Sequence, residues 1–178
     1  NNGSESGTQQ ATARIVDDDA PPTVTLSFSG SPIAEAGGTT TVTATLDAVS
    51  GQTVWVTLES SGTATLNKDY YWQGGSQIMI PAGSSSGTAT LKALQDRVDE
   101  ADETIIVDIA SVICGSELDT QQVTATIADD DPPPTVTLSL SGSSMAEAGG
   151  TATITAALSI NSGEDVTVSL AFSGTATF

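Results

Sequence analysis

TTTVTATL, Thr39–Leu46, is the stretch on which the fold turns. Threonines alternate with Val42, Ala44 and Leu46, and a period of two places those three apolar side chains on one face of an extended strand. β-branched residues suit such a pleated, half-buried surface. The same alternation recurs on both sides. TVTLSF (Thr23–Phe28) turns Val24, Leu26 and Phe28 inward, and TVWVTLE (Thr53–Glu59) turns Val54, Val56 and Leu58 inward with Trp55 outward.

Further along come a less regular strand within Tyr71–Ile80, then GTATLKAL (Gly87–Leu94), ETIIVDIA (Glu103–Ala110) and QQVTATIA (Gln121–Ala128). No segment carries a helical period. Seven short strands in roughly a hundred residues predict an all-β fold, an immunoglobulin-like seven-stranded antiparallel β-sandwich.

A larger repeat surrounds this unit. IVDDDAPPTVTLS (Ile15–Ser27) returns as IADDDPPPTVTLS (Ile127–Ser139), 112 residues on. Residues 1–66 align with 113–178 without a gap, and about two-thirds of the positions are identical. The sequence therefore divides into the C-terminal end of one repeat (1–19), a complete repeat (23–131) and the N-terminal part of the next (135–178). The expectation is a window on a longer tandem array.

Composition narrows the function. Across 178 residues, 22 are acidic and 4 basic, giving a net charge of −18. Such a chain repels nucleic acid and anionic membrane surfaces and attracts small cations. No stretch has the length and apolarity of a membrane-spanning helix. Histidine is absent from the sequence, which removes histidine triads, histidine general bases and most zinc sites. Cys114 is the one cysteine, so no internal disulfide framework exists. Gly83–Gly87 fits the G-x-S-x-G nucleophile pattern formally, but it precedes a strand and reads as a turn. The chain is not expected to be an enzyme.

The acids are not spread evenly. With strand direction alternating, Glu35, Asp69, the group Asp96, Asp99, Glu100, Asp102 and Glu103, and Asp129–Asp131 all fall at one end of the sandwich. Carboxylates gathered from four segments repel one another unless a cation neutralises them. Ca²⁺, which takes six to eight hard oxygen ligands in flexible geometry, fits better than Mg²⁺ or softer metals. A solvated acidic surface is the alternative for Asp-Asp-Asp alone; convergence of four segments favours the ion.

The motifs SPIAEAGG (Ser31–Gly38), SGTATLNKDYYW (Ser61–Trp72), IPAGSSSGTATLKAL (Ile80–Leu94), DRVDEADETIIVDI (Asp96–Ile109) and ATIADDDPPP (Ala125–Pro134) together resemble the Calx-beta domain. That repeat is named from sodium–calcium exchangers and occurs in bacterial surface proteins. The resemblance implies Ca²⁺ ligands at Glu35, Asp69, Asp96, Glu100, Asp129, Asp130 and Asp131. Gln95 stands where many members carry a further Asp, a departure that implies fewer or weaker ions. Asp17–Asp19 and Glu147 would serve neighbouring repeats.

The expected function is a calcium-binding structural repeat of a secreted or cell-surface, bacterial stalk, adhesin or filament, with Ca²⁺ rigidifying the inter-repeat junctions. Its partners are calcium ions and neighbouring repeats, with lateral self-association or a glycan or protein receptor as further candidates. Alternatives are a regulatory calcium sensor and an adhesive module using Trp55, Tyr71 or Trp72.

Overall fold

The computed structural model describes residues 2–4, 6–142 and 144–175. The complete unit is an all-β sandwich. Its strands are β1 (Thr23–Phe28), β2 (Ile33–Ala34), β3 (Thr39–Leu46), β4 (Val54–Gly62), β5 (Tyr70–Gln73), β6 (Gln77–Ile80), β7 (Ser86–Ala93), β8 (Glu103–Ile113), β9 (Ser116–Glu117) and β10 (Gln122–Ala128). One sheet runs β5-β7-β3-β1-β9 and the other β2-β10-β8-β4-β6. Among the described residues no helix is long and apolar enough to cross a membrane.

The inward positions read from alternation form the core between the sheets. Val24, Val42, Ala44, Val54, Val56, Leu91, Ile105 and Val107 are fully or almost fully buried. Burying each Val, Leu or Ile contributes about 1.5–3 kcal/mol relative to exposure. Tyr70 is buried at one end of this core and donates its hydroxyl to Ser60 Oγ at 2.8 Å, so its polar tip is satisfied.

Two details differ from the alternation reading. The irregular strand expected within Tyr71–Ile80 is two strands that start at Tyr70 and belong to different sheets, β5 beside β7 and β6 beside β4. The crossing is made at Gly74 and Gly75, both with positive φ, a conformation that glycine adopts without Cβ strain. The first strand is split likewise: β1 pairs with β3, whereas β2 crosses over to pair parallel with β10. The described residues before Thr23 form no strand.

After the proline run, β11 (Val136–Leu140) and β12 (Ile154–Leu158) form an antiparallel hairpin. Val136 pairs with Leu158 and Leu140 with Ile154, the register in which Val24 pairs with Leu46 and Phe28 with Val42.

Candidate metal centre

Parallel pairing of β2 with β10, Ile33 with Ile127 and Ala34 with Ala128, sets Glu35 beside Asp129–Asp131. The Glu35 amide donates to the Ala128 carbonyl at 3.1 Å. A tight turn follows, in which the Gly38 amide donates to the Ala34 carbonyl at 2.9 Å. A Cβ at Gly38 would overlap that carbonyl oxygen, so only glycine permits the turn. The β7–β8 loop, which joins the two sheets, brings Asp96 and Glu100 to the same end. Asp69 arrives immediately before β5 and Glu103 opens β8.

Two carboxylate groups result. Glu35, Asp96 and Asp131 each offer an oxygen within 4.8 Å of the others, and Asp69, Glu100 and Glu103 do the same. Glu35 is 9% exposed and Asp69 6%, and acids are rarely buried so far. A small cavity joins the groups, lined by residues that include Glu35, Asp69, Glu100, Glu103 and Asp129, with Leu94 and Ile127 as its apolar wall.

Hydrogen bonds hold this geometry only in part. Glu35 Oε1 accepts from the Asp96 amide at 3.0 Å, and Asp96 Oδ1 accepts from the Val98 amide at 2.8 Å. Asp69 Oδ2 accepts from the Thr65 amide at 2.6 Å. By contrast, Asp129 Oδ1 and Asp131 Oδ2 are buried with no hydrogen-bond partner. Buried acceptors are rarely left so.

The electrostatics agree. Burial pushes the Glu103 carboxyl up to about 7, reinforced by repulsion from Asp69 and Glu100. Burial also raises Glu35, helped by Asp96, Asp129 and Asp131 and opposed by the Asp96 N–H. Asp131 rises by burial and then by repulsion from Asp129, Asp130 and Asp96. Protein cations oppose this repulsion: Lys68 Nζ lies 3.2 Å from Asp69 Oδ1 and 3.3 Å from Glu100 Oε1, and the charge of Arg97 lowers the Asp131 carboxyl.

Of the seven residues read from the sequence, Glu35, Asp96 and Asp131 meet in one group and Asp69 and Glu100 in the other. Asp129 lines the joining cavity. Asp130 stands apart, exposed, and accepts from the Gln95 side-chain amide at 3.1 Å. Glu103 was absent from that ligand set. Its signal is the parity it shares with the buried Ile105 and Val107, which aims its carboxylate at the end of the core. Asp17–Asp19 and Glu147 are exposed.

The Calx-beta domain model matches residues 17–131. A crystal structure of the apo form of the Calx CBD1 domain is 20% identical with a TM-score of 0.52, over 61% of this chain and 99% of that one. CBD12 from CALX1.2 gives 22% and 0.49 over 56% of this chain and 40% of that one. A FixG-related protein from Vibrio parahaemolyticus gives 16% and 0.36 over 62% and 97%. No curated protein sequence matches the chain. At these identities the likeness to CBD1 speaks for the fold.

Proposed function

Because the chain belongs to the Calx-beta domain family, we propose that it is a calcium-binding structural repeat whose ions stiffen the junctions between successive units of an extracellular stalk, adhesin or filament. Its role is binding rather than catalysis. Successive units are taken to meet at residues 20–22 and 132–134, between the segments 1–19, 23–131 and 135–178. The observation that carries the reading is the pair of partnerless buried oxygens on Asp129 and Asp131 beside the Glu35–Asp96 pair.

The donor set fits a hard cation. It is made of carboxylates, it comes from segments far apart in sequence, and it leaves oxygens without donors. Glu35, Asp96, Asp129 and Asp131 would hold one ion and Asp69, Glu100 and Glu103 another, with Asp130 at the rim. Bound Ca²⁺ would supply the positive charge that removes the mutual repulsion. The rest is done by the chain: Asp131 leads directly into Pro132–Pro134, whose fixed φ limits how the following unit can swing. Millimolar calcium, as outside cells, would fill even weak sites of about 10⁻⁴–10⁻³ M.

Thermal unfolding of the full chain in calcium and in chelator tests this. At about a hundredfold excess over Kd, mass action stabilises by about 2.7 kcal/mol, a rise in Tm of roughly 10 °C. An unchanged Tm sinks the proposal.

A regulatory sensor is the second reading, and Lys68 favours it. An ion entering the Asp69–Glu100–Glu103 group must displace the ammonium, so the two groups would fill in sequence. Two resolved steps in a calorimetric titration, the first micromolar, would support it. Partners outside the chain are a further proposal: Trp55 lies in register between Met79 and Ile113, all three exposed on the outer face, a platform for a glycan or protein receptor.

A further inference from the structure

Two serine–glycine turns, Ser50–Gly51 and Ser162–Gly163, hold matching places in the repeated sequence, 112 residues apart. They are built alike. The Gln52 amide donates to Ser50 Oγ at 3.0 Å, and the Glu164 amide donates to Ser162 Oγ at 3.1 Å. They differ in what they touch. The Gly163 amide donates to the Asp99 carbonyl at 2.9 Å, and Ser162 Oγ donates to Asp99 Oδ2 at 3.2 Å. Residues 99 and 162 thereby form a parallel bridge between the β7–β8 loop of the complete unit and the segment after β12.

The glycine is what allows the approach. A Cβ at Gly163 would stand 2.7 Å from Glu100 Cγ and 2.9 Å from its Oε1. A Cβ at Gly51 meets nothing within 4 Å. Neither glycine has positive φ, so the turn itself does not demand the residue; the neighbour does. Where Gly163 has an acidic loop against it, Gly51 borders an open cleft of about 680 Å³ whose walls include Ser50, Gln52, Asp19 and Cys114.

We propose that this turn is the docking element by which each unit seats on the unit before it, and that the cleft at Ser50–Gly51 takes the loop equivalent to Asp96–Asp102 from a preceding copy. The turn presents a hydroxyl and a backbone N–H as donors; the loop answers with a carboxylate and a carbonyl. Contact with Glu100 links the joint to a candidate calcium ligand. The inference rests on the reading of the chain as successive units, and not on calcium.

Amide hydrogen exchange on the full chain tests the joint, followed by NMR in calcium and in chelator. The Gly163 amide should exchange at least about tenfold more slowly than the Gly51 amide. In Gly163→Val the amide at 163 should exchange as fast as that of Gly51, while Gly51→Val leaves the protection at Gly163 unchanged. Equal exchange of the two glycine amides in the unaltered chain overturns the proposal. Protection at Gly163 in calcium and chelator alike upholds it, even should calcium fail to stabilise the chain. For the cleft, a synthetic peptide of residues 95–103 at millimolar concentration should shift the resonances of Ser50–Gln52 and lose that effect in Gly51→Val. No shift removes the preceding copy as its occupant.

Discussion

Gln95 donates its side-chain amide to Asp130 Oδ1 at 3.1 Å and also to the Asp96 carbonyl at 3.0 Å. A neutral donor thus stands at the rim of the Glu35–Asp96–Asp131 group, ties the β7–β8 loop to the acidic tail, and spares one carboxylate. Gln95→Asp should reverse both effects. In chelator the Tm should fall, because Asp130 loses a donor and gains a like charge. In calcium the affinity should rise by about tenfold, equivalent to about 1.4 kcal/mol. Calorimetric titration and paired unfolding curves check this; a variant indistinguishable from the parent in both would count against a cation at this group.

Lys68→Gln addresses the second group. The ammonium is half exposed, so its ion pairs with Asp69 and Glu100 are worth about 1 kcal/mol or less. Without calcium the variant should melt a few degrees lower, since Asp69, Glu100 and Glu103 lose their counter-charge. With calcium it should bind severalfold more tightly, because no protein cation competes. Opposite signs in chelator and in calcium are the signature to seek in a thermal shift series.

The raised carboxyls make stability depend on pH in a direction opposite to ordinary acid unfolding. Glu103 ionises near 7 in the fold, against a reference of 4.5, and Glu35 and Asp131 are raised with it. Between 4.5 and about 7 the folded chain binds more protons than the unfolded one, so this stabilisation is complete below 4.5 and is lost as pH rises through 7. In chelator the Tm should therefore decline over that window. Calcium competes with the same protons, so its affinity should climb over the window and binding should release protons, read as a buffer-dependent binding enthalpy. A calcium affinity flat from pH 5 to 7.5 would contradict the assignment of Glu103 to the site.

Gly62→Ala is expected to damage the site through the backbone. Gly62 ends β4 with φ of 118° and faces Ile105 across the sheet. A Cβ there would overlap the Thr104 carbonyl oxygen, one residue after Glu103. Strain of this kind costs about 1–3 kcal/mol, and the start of β8 must shift to relieve it. Urea unfolding should show the loss, and calcium affinity should drop together with stability.

Most of this architecture is legible from alternation, and the departures have physical causes. β3, β4, β7 and β10 are long enough for a period of two to stand out, and their inward residues form the core. β5 and β6 are four residues each and change sheets, so neither builds a pattern of its own. The end at which the acids collect follows from strand direction alone. Their division into two groups does not, because it depends on the parallel β2–β10 pairing, a two-residue contact without a sequence signature. Lys68 was equally hidden: nothing in NKDYYW says that its side chain turns back over Asp69.

That short parallel pairing bears on how the molecule would carry load. Force applied along the chain enters ahead of β1 and leaves after β10, and β2 and β10 run side by side in the same direction. Tension that reaches β2 past the β1–β3 and β1–β9 pairings would drag β2 and β10 past each other lengthwise, so their hydrogen bonds would rupture together instead of peeling one by one. Glu35 follows directly on β2 and Asp131 lies just beyond β10, which makes any ion held between them a rivet across that sheared seam.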